Sequence, residues 1–571
     1  MLLLLAGTRQ AVSEDKPAPA PNPAAAGPAK DDPRNLPDAE KQKKLDEIQK
    51  KYDGMRRNQD LLPVRTRRNG VHFIGDLRFQ PAGKFLRMVF EDDRDLTTRI
   101  AALIAIGKSG DFDAIESSVK ASLAMAAKQP VFAASLPRMF AQVESREAKD
   151  WIAARVPDRE DDTAACVVEA IGETRSETAI PALLRVLEHA TNPAMRFEAM
   201  RAVGRCGGKL GGDALLPYLG DRDWRMRMGA VEGLGFTGAA DFIPNVTKLV
   251  VRGEEPIVVE TAVEALARLG TKDAITPLIE SLKVARLRAR QKARGALRNL
   301  AKTLFGKDKD YQVDPNQWGK WWDKMKRGVD PDDPKSSERE TTSYFNFPIE
   351  SDRVLFILDV SGSMQWPDAP RESGIRPSDW KERRIDIAHR NMFKALRDLA
   401  AQNRGRISKR QKKADTSDLP YAPGEDGQEP PTLFNVATFS GGVTPWQKTA
   451  VLADEENAEA AIAWLGAIRP GGGTATYDAL AYGIAQPDID TVVFLSDGLP
   501  SLGRFEERET ILGEIRRLNR FRRISISTVA LIIGLSPIES VRKYEDPDDM
   551  AEFMSRIASE NQGSFANESR P

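Results

Sequence analysis

The chain has 571 residues, which is too long for a single hydrophobic core and predicts about three or four units. Its 84 basic and 84 acidic residues balance, so no overall field draws the chain to nucleic acid or to an anionic membrane, and any partner must be recognised locally. Two cysteines, Cys166 and Cys206, lie in helical patterns beside small or apolar residues. That setting favours buried free thiols over a disulfide, and so few thiols exclude a cysteine-based zinc site.

The N-terminal residues 1–37 form a tail. It begins MLLLLAG, which lacks the basic segment and the length of a full signal-peptide core, and continues as a Pro/Ala-rich tract typical of disorder. Two locations stay open: an exported, periplasmic or cell-surface protein whose start falls inside a truncated signal, or a cytoplasmic protein. No later segment approaches the ~20 apolar residues of a membrane span, so we expect no transmembrane segment.

Residues 38–95 form a charged segment with no evident chemistry. The pattern predicts a helix over 38–57 and a short strand or extended piece over 71–79. From 96 to 327 the chain then repeats an apolar helix, a glycine, a turn and a second helix that begins near a proline.

The glycines of these repeats, Gly172, Gly204, Gly235 and Gly270, are 32, 31 and 35 residues apart, which is the period of a helix-pair solenoid. We expect each glycine to end a helix in a left-handed cap. The copies resemble HEAT-type repeats, and the alternative is an irregular helical bundle. A solenoid of this kind exposes one long curved face, which predicts a second protein contact on the helical repeats.

A tryptophan cluster ends the helical half of the chain. Trp318, Trp321 and Trp322 fall on one predicted helix, where they are expected to cover the open apolar end of the last repeat. Residues 328–348, rich in Asp, Pro, Ser and Glu, then predict a solvated linker.

Residues 349–571 change to alternating strands and helices. Apolar, β-branched runs at 354–358, 433–439, 492–495 and 524–533 are separated by helical patterns such as 385–399. This alternation predicts a doubly wound, Rossmann-like α/β domain with a parallel sheet covered on both faces.

Polar residues follow two of these strands directly, at the edge where open α/β sheets bind ligands. Asp359, Ser361 and Ser363 follow the first strand in a DxSxS motif, and Asp497 follows a later strand in Ser-Asp-Gly. Thr474 ends a Gly-Gly-Gly-Thr loop between them. Each piece alone is an ordinary helix cap or turn, but the ordered set predicts a common site.

The ordered set resembles the metal-ion-dependent adhesion site (MIDAS) of von Willebrand factor type A (VWA) domains. The resemblance implies that Ser361, Ser363 and Thr474 ligate Mg²⁺, or another divalent cation such as Mn²⁺ or Ca²⁺, directly. Asp359 and Asp497 then act largely through bound waters. One coordination position would stay open for a carboxylate of a partner protein.

Trp366 and Trp380 lie in a long loop, 365–383, on the metal side of the domain. They are candidates for selecting the ligand, with a simple spacer as the alternative. A second insertion, 402–431, enters at the opposite edge and predicts a loop remote from the ion.

The sequence thus predicts a non-enzymatic, metal-dependent protein-binding, adhesion or scaffold protein with no catalytic residues. A serine nucleophile would need an adjacent base, and the chain has only three histidines. The alternative is an accessory subunit of an AAA-type ATPase or remodelling complex, a role that the resemblance also allows.

Overall fold

The computed structural model describes residues 32–57, 64–328, 343–344, 347–366, 382–404, 406, 423, 429–531 and 547–567. Most of the predicted N-terminal tail and of the predicted linker lie outside these residues. Within them, no helix combines the length and the apolar character that crossing a bilayer requires. The chain builds a helical domain followed by an α/β domain, which confirms the predicted fold class.

The helical domain begins with helices of varied length that precede the regular repeats. They are α1 (Asp38–Arg57), α2 (Val64–Asp76), α3 (Ala82–Asp92), α4 (Leu96–Ser109), α5 (Phe112–Met125), α6 (Val131–Ala134), α7 (Leu136–Phe140) and α8 (Arg146–Ala153). The strand or extended piece predicted over 71–79 is wrong, because most of that segment belongs to α2. Val71 and Ile74, one helical turn apart, are both buried in the helical core, so packing favours the helix.

The repeats follow as pairs of helices. Their bounds are α9 (Asp162–Thr174), α10 (Ile180–His189), α11 (Pro193–Leu215), α12 (Trp224–Phe236), α13 (Ile243–Thr247), α14 (Pro256–Leu269), α15 (Ile275–Val284), α16 (Leu287–Phe305) and α17 (Pro315–Lys326). Helices α9, α11, α12, α14 and α16 pack side by side as an inner row, with α10, α13 and α15 outside it. A helix-pair solenoid is therefore confirmed.

The repeat glycines serve the packing of this inner row more than they serve helix ends. Only Gly270 caps its helix with a positive φ, of 65°. A Cβ on Gly172 would lie 2.9 Å from the Ala202 backbone, and one on Gly204 would lie 2.0 Å from the Gly233 carbonyl oxygen. The predicted left-handed caps are thus wrong at Gly172, Gly204 and Gly235, where neighbouring helices approach too closely for a side chain.

The tryptophans of α17 cover the last repeat, as predicted. Trp318 and Trp321 are almost completely buried, and the Trp322 indole donates a 3.0 Å hydrogen bond to Thr276 of α15. Phe305, at the end of α16, packs edge-on against Trp321. The cluster closes the apolar end of the stack.

The α/β domain contains a parallel sheet with helices on both faces. After a short antiparallel pair, β1 (Ser343–Tyr344) and β2 (Phe347–Pro348), come β3 (Arg353–Asp359), β4 (Leu433–Phe439), β5 (Val443–Pro445), β6 (Val451–Leu452), β7 (Thr491–Ser496), β8 (Ser525–Ala530) and β9 (Phe565–Asn567). The helices are α18 (Arg384–Asn403), α19 (Glu455–Ala467), α20 (Thr476–Ala485), α21 (Arg508–Arg522) and α22 (Pro547–Glu560).

The sheet order is β5-β4-β3-β7-β8-β9, with β3, β4, β7, β8 and β9 parallel and the short β5 and β6 antiparallel to β4. Successive residues of β3 face opposite sides of the sheet: Phe356 packs in the core under α18 and α19, and Ile357 packs in the core under α20, α21 and α22. All seven residues of β3 are buried, as expected for a central strand.

The two domains meet through a row of glutamates on the inner repeat helices, which we call the glutamate row. It comprises Glu169, Glu198, Glu232 and Glu264, spaced 29, 34 and 32 residues apart and therefore one per repeat. Arginines at the end of α21 meet this row: Arg520 lies 3.1 Å from Glu198, and Arg523 pairs with Glu232 and Glu264.

Contacts at the ends of strands show which side of the α/β domain the last repeats cover. Arg288 of α16 donates to the Asp490 carbonyl just before β7, and Lys292 donates to Gln562 just before β9. Both acceptors lie at the amino ends of parallel strands. These contacts therefore lie at the amino edge of the sheet. The predicted metal site lies at the opposite, carboxyl edge.

Candidate metal centre

The candidate site forms where β3 and β7 end. These strands are parallel neighbours, paired from Val354 with Thr491 to Leu358 with Leu495, so the residues that follow them meet at one edge. Asp359 is the last residue of β3, and the chain then turns through a short 3₁₀ helix at Gly362–Gln365. Asp497 follows β7 directly. Both carboxylates are buried.

Hydrogen bonds connect four of the five predicted residues. The Ser361 and Ser363 hydroxyl oxygens are 3.0 Å apart, and the Ser363 hydroxyl donates a 2.7 Å hydrogen bond to Asp497 Oδ1. The Ser361 amide donates to Asp359 Oδ1 at 2.8 Å. Side chains 134 positions apart in sequence thus share one small volume.

Thr474 reaches the same place through the glycine loop. The Gly362 amide donates to the Gly472 carbonyl at 2.9 Å, and the Gly471 amide donates to the Val360 carbonyl at 2.8 Å. Gly472 has a φ of 83°, a conformation that glycine adopts without strain. A Cβ on Gly498 would lie 3.7 Å from the Thr474 hydroxyl and 3.9 Å from the Ser363 hydroxyl, so both oxygens border the same point.

The negative charge of the Asp359 carboxylate has little compensation from nearby positive charge. Burial, together with the nearby Asp497 carboxylate, raises the pKa of Asp359 to about 7, although hydrogen bonds from Ser496 and Ser361 oppose the rise. Two carboxylates and three hydroxyls form a set of hard oxygens, the ligands that Mg²⁺ and Ca²⁺ prefer. A divalent cation between them would relieve the repulsion that raises this pKa, so the residues present fit such an ion.

Two further side chains belong to the site and were missed in the sequence. The Ser496 hydroxyl donates a 2.6 Å hydrogen bond to Asp359 Oδ2, and Arg384 donates a 2.8 Å hydrogen bond to Asp497 Oδ2. The Arg384–Asp497 ion pair is almost completely buried. Ser496 directly precedes Asp497, which is a local signal. By contrast, Arg384 begins α18 beyond a long loop, and charge pattern alone does not distinguish it from the adjacent Arg383, which pairs with Asp386.

Of the two proposed ligand-selecting tryptophans, Trp366 lies beside the site. The Arg384 guanidinium lies 5.4 Å from the centre of its ring, and the Arg384 amide donates to its carbonyl. Trp380 lies outside the described residues, so its role stays a prediction.

Parts of this chain are similar to a repeat family and to larger known proteins. The HEAT repeats family matches residues 212–298. The human von Willebrand factor A domain-containing protein 3B (Homo sapiens) is 29% identical over 97 residues, covering 17% of this chain and 7% of that protein. Inter alpha-trypsin inhibitor, heavy chain 4 of Mus musculus is 25% identical over 179 residues, covering 29% of this chain and 14% of that protein.

Among solved structures, the von Willebrand factor type A protein from Catenulispora acidiphila matches at 15% identity with a TM-score of 0.24, covering 39% of this chain and 40% of that chain. The chain spans a seventh or less of the length of the curated relatives it matches. It combines HEAT-type helical repeats with a VWA-like α/β domain, as the sheet order and the repeat helices show.

Proposed function

We propose that this protein binds another protein through a divalent cation held at the carboxyl edge of the VWA-like sheet. The observation that carries the proposal is the convergence of the Ser361, Ser363 and Thr474 hydroxyls beside the Asp359 and Asp497 carboxylates. Its VWA-containing relatives point to an interaction or adhesion role rather than to catalysis.

The three hydroxyls would ligate the ion directly, and the two aspartates would hold its waters. Because the groups that ligate the ion directly are neutral hydroxyls, the cation stays electrophilic. A carboxylate of a partner protein would then complete its coordination. Arg384 already compensates Asp497, which lowers the negative charge of the site further. The bound ion would therefore favour an anionic ligand from outside.

The domain arrangement supports this role. Within the described residues, no hydrogen bond or ion pair joins the helical domain to Asp359, Ser361, Ser363, Thr474 or Asp497. The inner row of repeat helices contacts the α/β domain, so we place the proposed second protein contact on the outer row, with α10, α13 and α15.

Affinity capture with the full chain as bait tests the proposal. We expect proteins retained in Mg²⁺ to be released by EDTA and to be absent when the bait is Asp359→Ala. Asp386→Ala is the matched control, because Asp386 is a partly exposed aspartate of α18 that pairs with Arg383 outside the site. Capture that is unchanged by both EDTA and Asp359→Ala contradicts the proposal.

A further inference from the structure

A cavity of about 600 Å³, lined mostly by arginines and glutamates, lies between the two domains on the side of α21 that faces the repeats. Residues of both domains line it. Arg201 and Arg205 come from α11, and Arg268 comes from α14, so two inner helices of the repeats contribute. Arg516, Arg520 and Arg523 come from α21 and the residue that follows it. Its volume falls within the range of small-molecule sites, and domain interfaces are a common place for them.

Positive charge exceeds negative charge in the lining. Seven arginines and five glutamates line the cavity, so the lining itself carries a formal charge of +2. Two glutamates outside the lining compensate part of it: Glu264 pairs with Arg268 and Arg523, and Glu509 pairs with Arg138. Some glutamates form ion pairs with two arginines each. Glu198 pairs with both Arg201 and Arg520, and Glu232 pairs with both Arg201 and Arg523. Each guanidinium has five N–H donors, so shared carboxylates leave donors over. The buried Nε of Arg201 lies 3.4 Å from Glu232 but makes no hydrogen bond within the described residues.

Arg205 is the clearest example of a lining arginine that has N–H donors left over. Its ion-pair partner, Glu173, is a single carboxylate 2.8 Å away, and its guanidinium lies 4.3 Å from the centre of the Phe236 ring. Burial and the neighbouring Arg201 lower the pKa of Arg205. Arg138, also in the lining, has its pKa lowered by burial and by Arg556. The charge of a bound anion would raise the pKa of both arginines.

We propose that this cavity is a binding site for a small multivalent oxyanion of the phosphate class, held by arginines of both domains. Guanidinium groups bind phosphate oxygens in pairs of parallel hydrogen bonds, and arginines converging from two domains surround such an ion better than one surface can. The bound anion would join the repeats to α21. The site lies on the interface with the repeats and needs no metal, so it is independent of the proposed metal centre.

Isothermal titration of the full chain with sodium pyrophosphate, in EDTA and at constant ionic strength, tests the site. EDTA removes any contribution of a metal-bound phosphate. We expect one saturable site per chain, weakened at least tenfold by Arg205→Gln and unchanged by Arg294→Gln. Arg294 is the matched control, because it is a partly buried repeat arginine paired with Asp310 outside the cavity. Asp359→Ala should also leave the titration unchanged.

Inorganic phosphate and ADP distinguish the sources of the oxyanion. Tighter binding of phosphate than of ADP indicates a free ion, and the reverse indicates a phosphorylated metabolite. Arg138→Gln is a second lining variant, for use if Arg205→Gln fails to fold by circular dichroism. The proposal is overturned if pyrophosphate shows no saturable binding, or if folded lining variants bind it as tightly as Arg294→Gln does.

Discussion

Replacing Arg523 with alanine should loosen the contact between the two domains without unfolding either of them. The Arg523 side chain is 11% exposed and pairs with Glu232, which is 3% exposed, and with Glu264 at 3.4 Å. Removing one partner of a buried ion pair leaves an uncompensated charge and costs about 3–5 kcal/mol. Arg201 remains 3.4 Å from Glu232, so we take the lower value. About 3 kcal/mol corresponds to an increase of roughly a hundredfold in the separated state.

Thiol labelling measures this separation. Cys166 is partly exposed on α9 and lies near Arg516 and Arg520 of the other domain. Burial raises its pKa to about 12, so contact between the domains lowers its reactivity. We expect the maleimide-labelling rate of Cys166 to rise in Arg523→Ala, by up to roughly a hundredfold if labelling requires domain separation. Cys206, buried in the repeat core, should keep its rate, because the repeats stay folded.

Arg397→Ala is the matched control for this experiment. Arg397 pairs with Glu459 at the surface, with exposures of 57% and 51%, and such pairs contribute about 0–1 kcal/mol. Equal Cys166 labelling rates in Arg523→Ala and the wild type would refute the argument that these ion pairs hold the domains together. A parallel rise at Cys206 would mean that the repeats unfold instead.

Two further predictions concern single positions. Arg384→Gln removes the cation paired with Asp497, so added Mg²⁺ should raise the melting temperature of this variant more than that of the wild type; an equal or smaller rise in differential scanning calorimetry contradicts this. Gly204→Ala places a methyl 2.0 Å from the Gly233 carbonyl and should destabilise the repeats by about 1–3 kcal/mol in urea unfolding. Gly295→Ala, in open space on α16, should instead stabilise them by about 0.5–1 kcal/mol, and equal effects of the two changes would count against the close-packing argument.

Local patterns in the sequence predicted much of the α/β domain. The apolar runs at 354–358 and 433–439 fall within β3 and β4, because buried central strands need continuous apolar sequence. The order of Asp359, Ser361, Ser363, Thr474 and Asp497 predicted that they would meet, because parallel strands bring their carboxyl ends to one edge. Whether these residues bind a metal stays a prediction.

Features that depend on distant parts of the chain were not predictable in this way. The charged residues of α21 resemble a solvated helix face in sequence, and their partners in the glutamate row lie about 260–320 positions away. Arg384 was missed because its partner, Asp497, is 113 positions away. The roles of Gly172 and Gly204 were misassigned because a sequence shows that a glycine is present but not which backbone approaches it.

Direct measurement of divalent-cation binding tests the central claim most simply. Isothermal titration of the full chain with Mg²⁺, and with Mn²⁺ and Ca²⁺ for comparison, should show one site that is lost in Asp359→Ala and kept in Asp386→Ala. If Asp359→Ala loses the binding while circular dichroism shows that it stays folded, the result supports a metal centre at the carboxyl ends of β3 and β7. Equal binding by the wild type and Asp359→Ala, or no binding by the wild type, would contradict it.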